Sequence, residues 1–262
     1  METTVKPNRQ KEKDNNLVFS YMTMRNLIGF SGMLLPLVLV LATHTCGCDN
    51  RIEPSISDYY YTGIGDLLVV ILSVLGVFLF TYTGYGWKEN ILTTIAAICG
   101  IGVAFSPTAA KFPGNSFSVH TPILEVPEIF CFERHLLFAA IFFISLSIMS
   151  LYYFRKSDSV RIRTKNDKRT QKEKRNIIYK ICGWIMIVCV VTLILYFIIA
   201  PFKKIVGDFP IIFTLETVAV EAFAISWLTK GETLLPDGEH YMKEFFKMLM
   251  QKFHIHRNNQ IL

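Results

Sequence analysis

RKSDSVRIRTKNDKRTQKEKR, residues 155–175, decides how this chain is read. Ten of these residues are Lys or Arg, against three acids, Asp158, Asp167 and Glu173. Long apolar stretches stand on both sides of it. A run this charged cannot lie in hydrocarbon, and short loops rich in Lys and Arg stay on the cytoplasmic side of a membrane. Once this run is placed inside the cell, the direction of every apolar stretch around it follows. The expected class is an all-α integral membrane protein.

Working outward, the apolar residues gather into runs of roughly 17–22, the length that spans about 30 Å of hydrocarbon at 1.5 Å per residue. The chain has 262 residues and is 52% hydrophobic, with a mean hydropathy of +0.37. Soluble domains hold about 45–50% apolar residues. Six spans are expected, at about 25–45, 64–82, 91–106, 135–154, 177–200 and 210–228. They form a transmembrane domain over 25–229, between a cytoplasmic tail, 1–24, and a second tail, 230–262. The basic cytoplasmic loop occupies 155–176. An even number of spans agrees with basic residues at both ends, so both termini are expected in the cytoplasm of a multi-pass protein of the cell (plasma or inner) membrane. The opening METTVKPNRQKEKDNN leads into a long apolar run without a small-residue cleavage site, so that run reads as a retained first span.

Small residues mark faces of close helix approach: Gly29 and Gly32 on the first span, and Ala96, Gly100 and Ala104 on the third. In the C-terminal tail, Met242, Phe245, Phe246, Leu249 and Phe253 recur at three- and four-residue steps. That spacing is the apolar face of an amphipathic helix, suited to a membrane interface or to the underside of the bundle. The net charge of +6 flanks the apolar runs, so topology and anionic headgroups account for it, and nucleic acid is not an expected partner. The expected partners are membrane lipids and further copies of the chain.

Polar groups inside spans are expensive and mark functional candidates. In this topology His44, Asp66, Arg134, His135, Glu216 and Glu221 fall in the outer half, with His120 in the loop above. Asp66, Arg134, His135, Glu216 and Glu221 are candidate ligand-binding residues. His44, Asp66, His120 and His135 could instead hold zinc and activate water for hydrolysis. No HxxxH, HExxH or CxxC pairs any of them at helical spacing, and no other cofactor is indicated. Structural pairing between helices is the plainer account. Glu221 lies well inside a span, and Glu216 is five positions away, about 140° around the helix, so the two do not share a face. Ser55, Ser57 and Asp58 read as capping residues for the second span. Cys46, Cys48 and Cys131 fall outside the membrane and are disulfide candidates in an oxidising compartment. No nucleotide-binding pattern, GxSxG or obvious Ser/His/Asp trio is present.

SISDYYYTGIGDLLVVILSVLGVFLF (55–80), the GYG turn (84–86), GIGVAFSPTA (100–109) and RHLLFAAIFFISLSIMSLYYF (134–154) resemble a family of uncharacterised bacterial multi-pass membrane proteins. The SISD stretch and the Arg-His opening of the fourth span are also faintly similar to the six-helix DRAM/Sfk-type membrane proteins. These resemblances imply a six-helix membrane bundle and carry no activity or catalytic residues. The leading expectation is a non-enzymatic membrane protein that binds a lipid or small apolar ligand between helices in the outer half. A metal-dependent hydrolase and an ion or solute transporter are the alternatives.

Overall fold

A computed structural model describes residues 16–45, 52–84, 86–106, 128–156, 171–199, 209–231 and 233–235. Among these the chain is helical, without strands. Six long helices follow in order: α1 (Asn16–Thr45), α2 (Gly65–Thr81), α3 (Trp87–Phe105), α4 (Glu128–Ile148), α5 (Gln171–Ile198) and α6 (Ile211–Lys230). A 3-10 turn, Ser57–Tyr61, precedes α2, and α4 runs on into a π turn, Met149–Tyr153. Five of these helices contain stretches long and apolar enough to cross a membrane: Thr23–Thr45, Trp87–Phe105, Arg134–Tyr153, Lys172–Ile198 and Ile211–Lys230. The remaining helix, α2, is equally apolar but has 17 residues.

The helices differ from their expected bounds mainly at polar ends. Helix α1 begins at Asn16, inside the expected tail. Helix α3 begins at Trp87 rather than near 91, because Lys88, Glu89 and Asn90 join its first turn. A carboxylate there is favourably placed against the helix dipole. Helix α4 starts at Glu128 and α5 at Gln171, each inside a segment expected to be a loop. Backbone hydrogen bonding persists through these polar flanks, which a hydropathy window cannot see. The amphipathic tail helix and most of the basic loop lie outside the described residues.

Each helix packs on its neighbour in sequence, and α6 returns to α1, so the six close into a ring. Close approach is carried by small residues. A Cβ on Gly29 would lie 2.6 Å from Leu228 Cγ, and one on Gly32 would lie 2.9 Å from Phe223 Cε1, so both glycines seat α1 against α6. On α3, Gly100 faces the Phe142 ring of α4. The outward faces stay apolar: Leu34, Val77, Ile98, Leu137, Val188 and Val218 are all exposed. A soluble bundle would turn polar residues outward.

The ring's two ends are built differently. At the lower end, where α2 ends and α3 begins, Arg25 Nη2 donates to the Tyr82 hydroxyl at 3.3 Å. That hydroxyl donates to Glu89 Oε1 at 3.0 Å. Aromatic rings continue inward from Tyr82 to Trp227 (5.0 Å between centroids), and from Trp227 to Phe154 (5.2 Å) and Phe223 (6.0 Å). Beside them, in the π turn, Ser150 Oγ meets Ser226 Oγ at 2.8 Å and donates to the Tyr179 carbonyl at 2.8 Å. The upper end is closed by the chain between α1 and α2. There Ile56, Tyr59, Tyr60 and Ile64 are buried among Leu35, Leu39, Leu68 and Val220.

Candidate functional site

Between the upper plug and the aromatic floor lies a pocket with an empty volume of about 810 Å³, the space at its mouth included. Five of the six helices contribute to the wall, and α5 contributes no lining residue. Leu72 and Leu75 of α2, Val103 of α3, Phe142 of α4 and Val220 and Phe223 of α6 make the wall apolar. Ser57, Tyr60, His135 and Glu216 supply its polar groups.

The polar end is assembled by three local features. First, the plug is pinned to the start of α6. The Phe213 N–H, one of the donors a helix start leaves without an intrahelical partner, donates to the Pro54 carbonyl at 2.9 Å. The Ile56 N–H donates to Glu216 Oε2 at 2.6 Å. Second, Ser55 Oγ accepts the Asp58 N–H at 3.0 Å and so organises the 3-10 turn. Ser55 therefore caps this turn rather than α2, which was the expected role for the SISD residues. Third, Pro107 follows Ser106 in the sequence, and a residue before proline is pushed out of helical geometry. Helix α3 stops at Phe105, and Ser106 takes φ −119°, ψ 79°. Its carbonyl lies 2.7 Å from His135 Nδ1.

His135 is 4% exposed. Its other ring nitrogen, Nε2, lies 2.8 Å from Ser57 Oγ. These two contacts fix the tautomer. A carbonyl oxygen can only accept, so Nδ1 carries the proton and donates to Ser106. Nε2 is then the lone-pair nitrogen, and the Ser57 hydroxyl donates to it. Asp58, next to Ser57 in the 3-10 turn, is also buried. Burial raises the Tyr60 phenol above its ordinary value of 10.0, with the nearby Asp66 carboxylate adding to the effect. Tyr60 therefore stays protonated at neutral pH.

Of the expected ligand-binding residues, His135 and Glu216 line the pocket, whereas Asp66, Arg134 and Glu221 do not. Asp66 is exposed in the first turn of α2, two positions before Leu68, which does face the pocket. Two positions are about 200° of helical rotation. Arg134 is half-buried at the head of α4. Glu221 is half-buried on another face of α6 from Glu216, as their five-residue separation requires. His44 is exposed in the last turn of α1. Among the described residues no three His, Cys, Asp or Glu side chains gather into a metal-holding group. His120, Cys46 and Cys48 lie outside the described residues, as does the side chain of Cys131. Sequence reasoning missed Ser57 and Ser106, which lie 78 and 29 positions from His135. An SISD loop followed by a histidine opening a later apolar run was the only available signal.

No family model, curated protein or solved structure matches this chain.

Proposed function

We propose that this chain is a six-span protein of the cell membrane, with cytoplasmic termini, that binds a lipid or another small amphiphile in the ring pocket. The observation that carries the reading is the division of the pocket wall. Apolar side chains from five helices make up most of it, and Ser57, Tyr60, His135 and Glu216 supply its polar groups. An amphiphile has the same division, an apolar chain joined to a group that takes hydrogen bonds. The exposed apolar faces of all six helices support membrane embedding. The 17-residue α2 supports a sixth span because it is apolar beyond its first turn and belongs to the ring. The basic run 155–175 follows α4 and would lie in the cytoplasm, which would put the plug on the outer side.

The test is lipid retention. Wild-type protein purified in mild detergent is expected to carry an amphiphile detectable by native mass spectrometry. Ala139 lines the pocket, so Ala139→Phe should fill it and reduce the retained amphiphile at least about tenfold. Equal retention by folded Ala139→Phe would exclude the pocket as the binding site.

A further inference from the structure

We propose that Ser57 and His135 form a nucleophile–base pair that cleaves an ester bond of the amphiphile bound in this pocket. The proposal rests on the binding reading above, but it stands on its own geometry. Ser57 is polar, partly accessible and on the pocket wall, and its Oγ lies 2.8 Å from His135 Nε2. That separation is within reach for proton transfer. The Ser106 carbonyl holds the proton on Nδ1, so the nitrogen facing Ser57 is the basic one. This is the orientation a serine nucleophile requires, with a backbone carbonyl in the position that a carboxylate occupies in many triads. Ser106 is thus a positioning residue. Asp58, one position beyond Ser57 and buried, would counter the charge of the imidazolium formed during the reaction.

A serine that merely satisfied a buried histidine would account for the hydrogen bond. It would not account for its place on the wall of a mostly apolar pocket. An ester-linked acyl chain fits this arrangement, its hydrocarbon along Leu72, Leu75, Val103 and Phe142 and its carbonyl at Ser57. In the first step His135 Nε2 takes the Ser57 hydroxyl proton while Oγ bonds to the ester carbonyl carbon. The bond from that carbon to the alkoxy oxygen breaks, and His135 returns the proton to the departing alkoxide, which leaves as an alcohol. Water is the second substrate. It loses a proton to Nε2, bonds to the acyl carbon and displaces Oγ, which recovers the proton. Ester and water become carboxylic acid and alcohol, with nothing oxidised or reduced.

The experiment uses a long-chain alkyl fluorophosphonate on the full chain in detergent micelles, read by intact mass and peptide mapping. Attack by Oγ on phosphorus expels fluoride and leaves a stable adduct. One adduct per chain on Ser57 is expected, with none in Ser57→Ala. His135→Gln should label at least about 100-fold more slowly, in keeping with the loss of a general base. An unlabelled Ser57 in wild-type protein that still retains its amphiphile would overturn the nucleophile and leave binding intact. Labelling of folded His135→Gln at the wild-type rate would overturn the role of the base. Rapid labelling of Ser57 in wild-type protein that retains no amphiphile would instead sink the binding reading and keep the reactive pair.

Discussion

The lower and upper ends of the ring solve the same problem, polar groups among apolar helices, in opposite ways. At the lower end Arg25, Tyr82 and Glu89 form one hydrogen-bonded line, with Glu89 only 1% exposed, and aromatic rings fill the space beside it. At the upper end Ser57, His135 and Glu216 are also hydrogen-bonded, but they border a pocket. A network packed into filled space holds helices in place. A similar network beside open space can hold something else. The first end reads as structure and the second as a site, and substitutions should separate them.

The largest effect is expected from Glu89→Ala. It removes a buried acid that anchors Tyr82 and, through it, Arg25, and breaking such a charged network costs about 3–5 kcal/mol. Thermal unfolding in detergent should show a loss larger than that of Gly29→Val or Ser57→Ala. Gly29→Val comes next. Its new side chain would meet Leu228 at the α1–α6 contact, and overpacking there should cost about 1–3 kcal/mol. Ser57→Ala removes one hydrogen bond beside the pocket and should cost about 1 kcal/mol, so the protein stays folded while fluorophosphonate labelling disappears. If Ser57→Ala proves as disruptive as Glu89→Ala, the contrast between the ends fails.

The smallest effect concerns pH. Burial raises the Tyr60 phenol above 10.0, so the folded state holds this proton more tightly than the unfolded chain. Its contribution to stability is complete below the ordinary value and is lost as pH rises through the raised one. As the pH rises through 10.0 and beyond, wild-type protein should lose slightly more stability than Tyr60→Phe. Equal alkaline losses in the two proteins would show that Tyr60 is not part of the buried plug.

Much of the architecture was legible because it depends on long-range composition. The basic run 155–175 and the apolar runs around it indicate long helices between polar segments, and six long helices are present among the described residues. Gly29 and Gly32 marked a face of close approach through size alone, and the fold sets that face against α6. The helix starts were less legible. Trp87 to Asn90 look like a turn by hydropathy, yet they carry the first turn of α3. The site was only half legible. His135 and Glu216 stood out as polar groups at the edges of apolar runs, and both line the pocket. Asp66 stood out equally and faces away, because composition ignores 200° of rotation between it and Leu68. Ser57 did not stand out, since a serine in a turn-rich loop looks like a cap. Its partner is 78 positions away, a separation only the folded ring closes.

Photo-crosslinking with a diazirine-bearing phospholipid tests the central claim most directly. Lipid surrounding any membrane protein will label outward residues such as Val70, Ile98 and Val188, which are exposed. An amphiphile in the ring pocket should also label Leu72, Val103 and Phe142, which line its wall, and Ala139→Phe should remove those inner adducts while sparing the outer ones. Adducts confined to the outward faces in both proteins would show that the pocket takes no lipid, and would contradict the account.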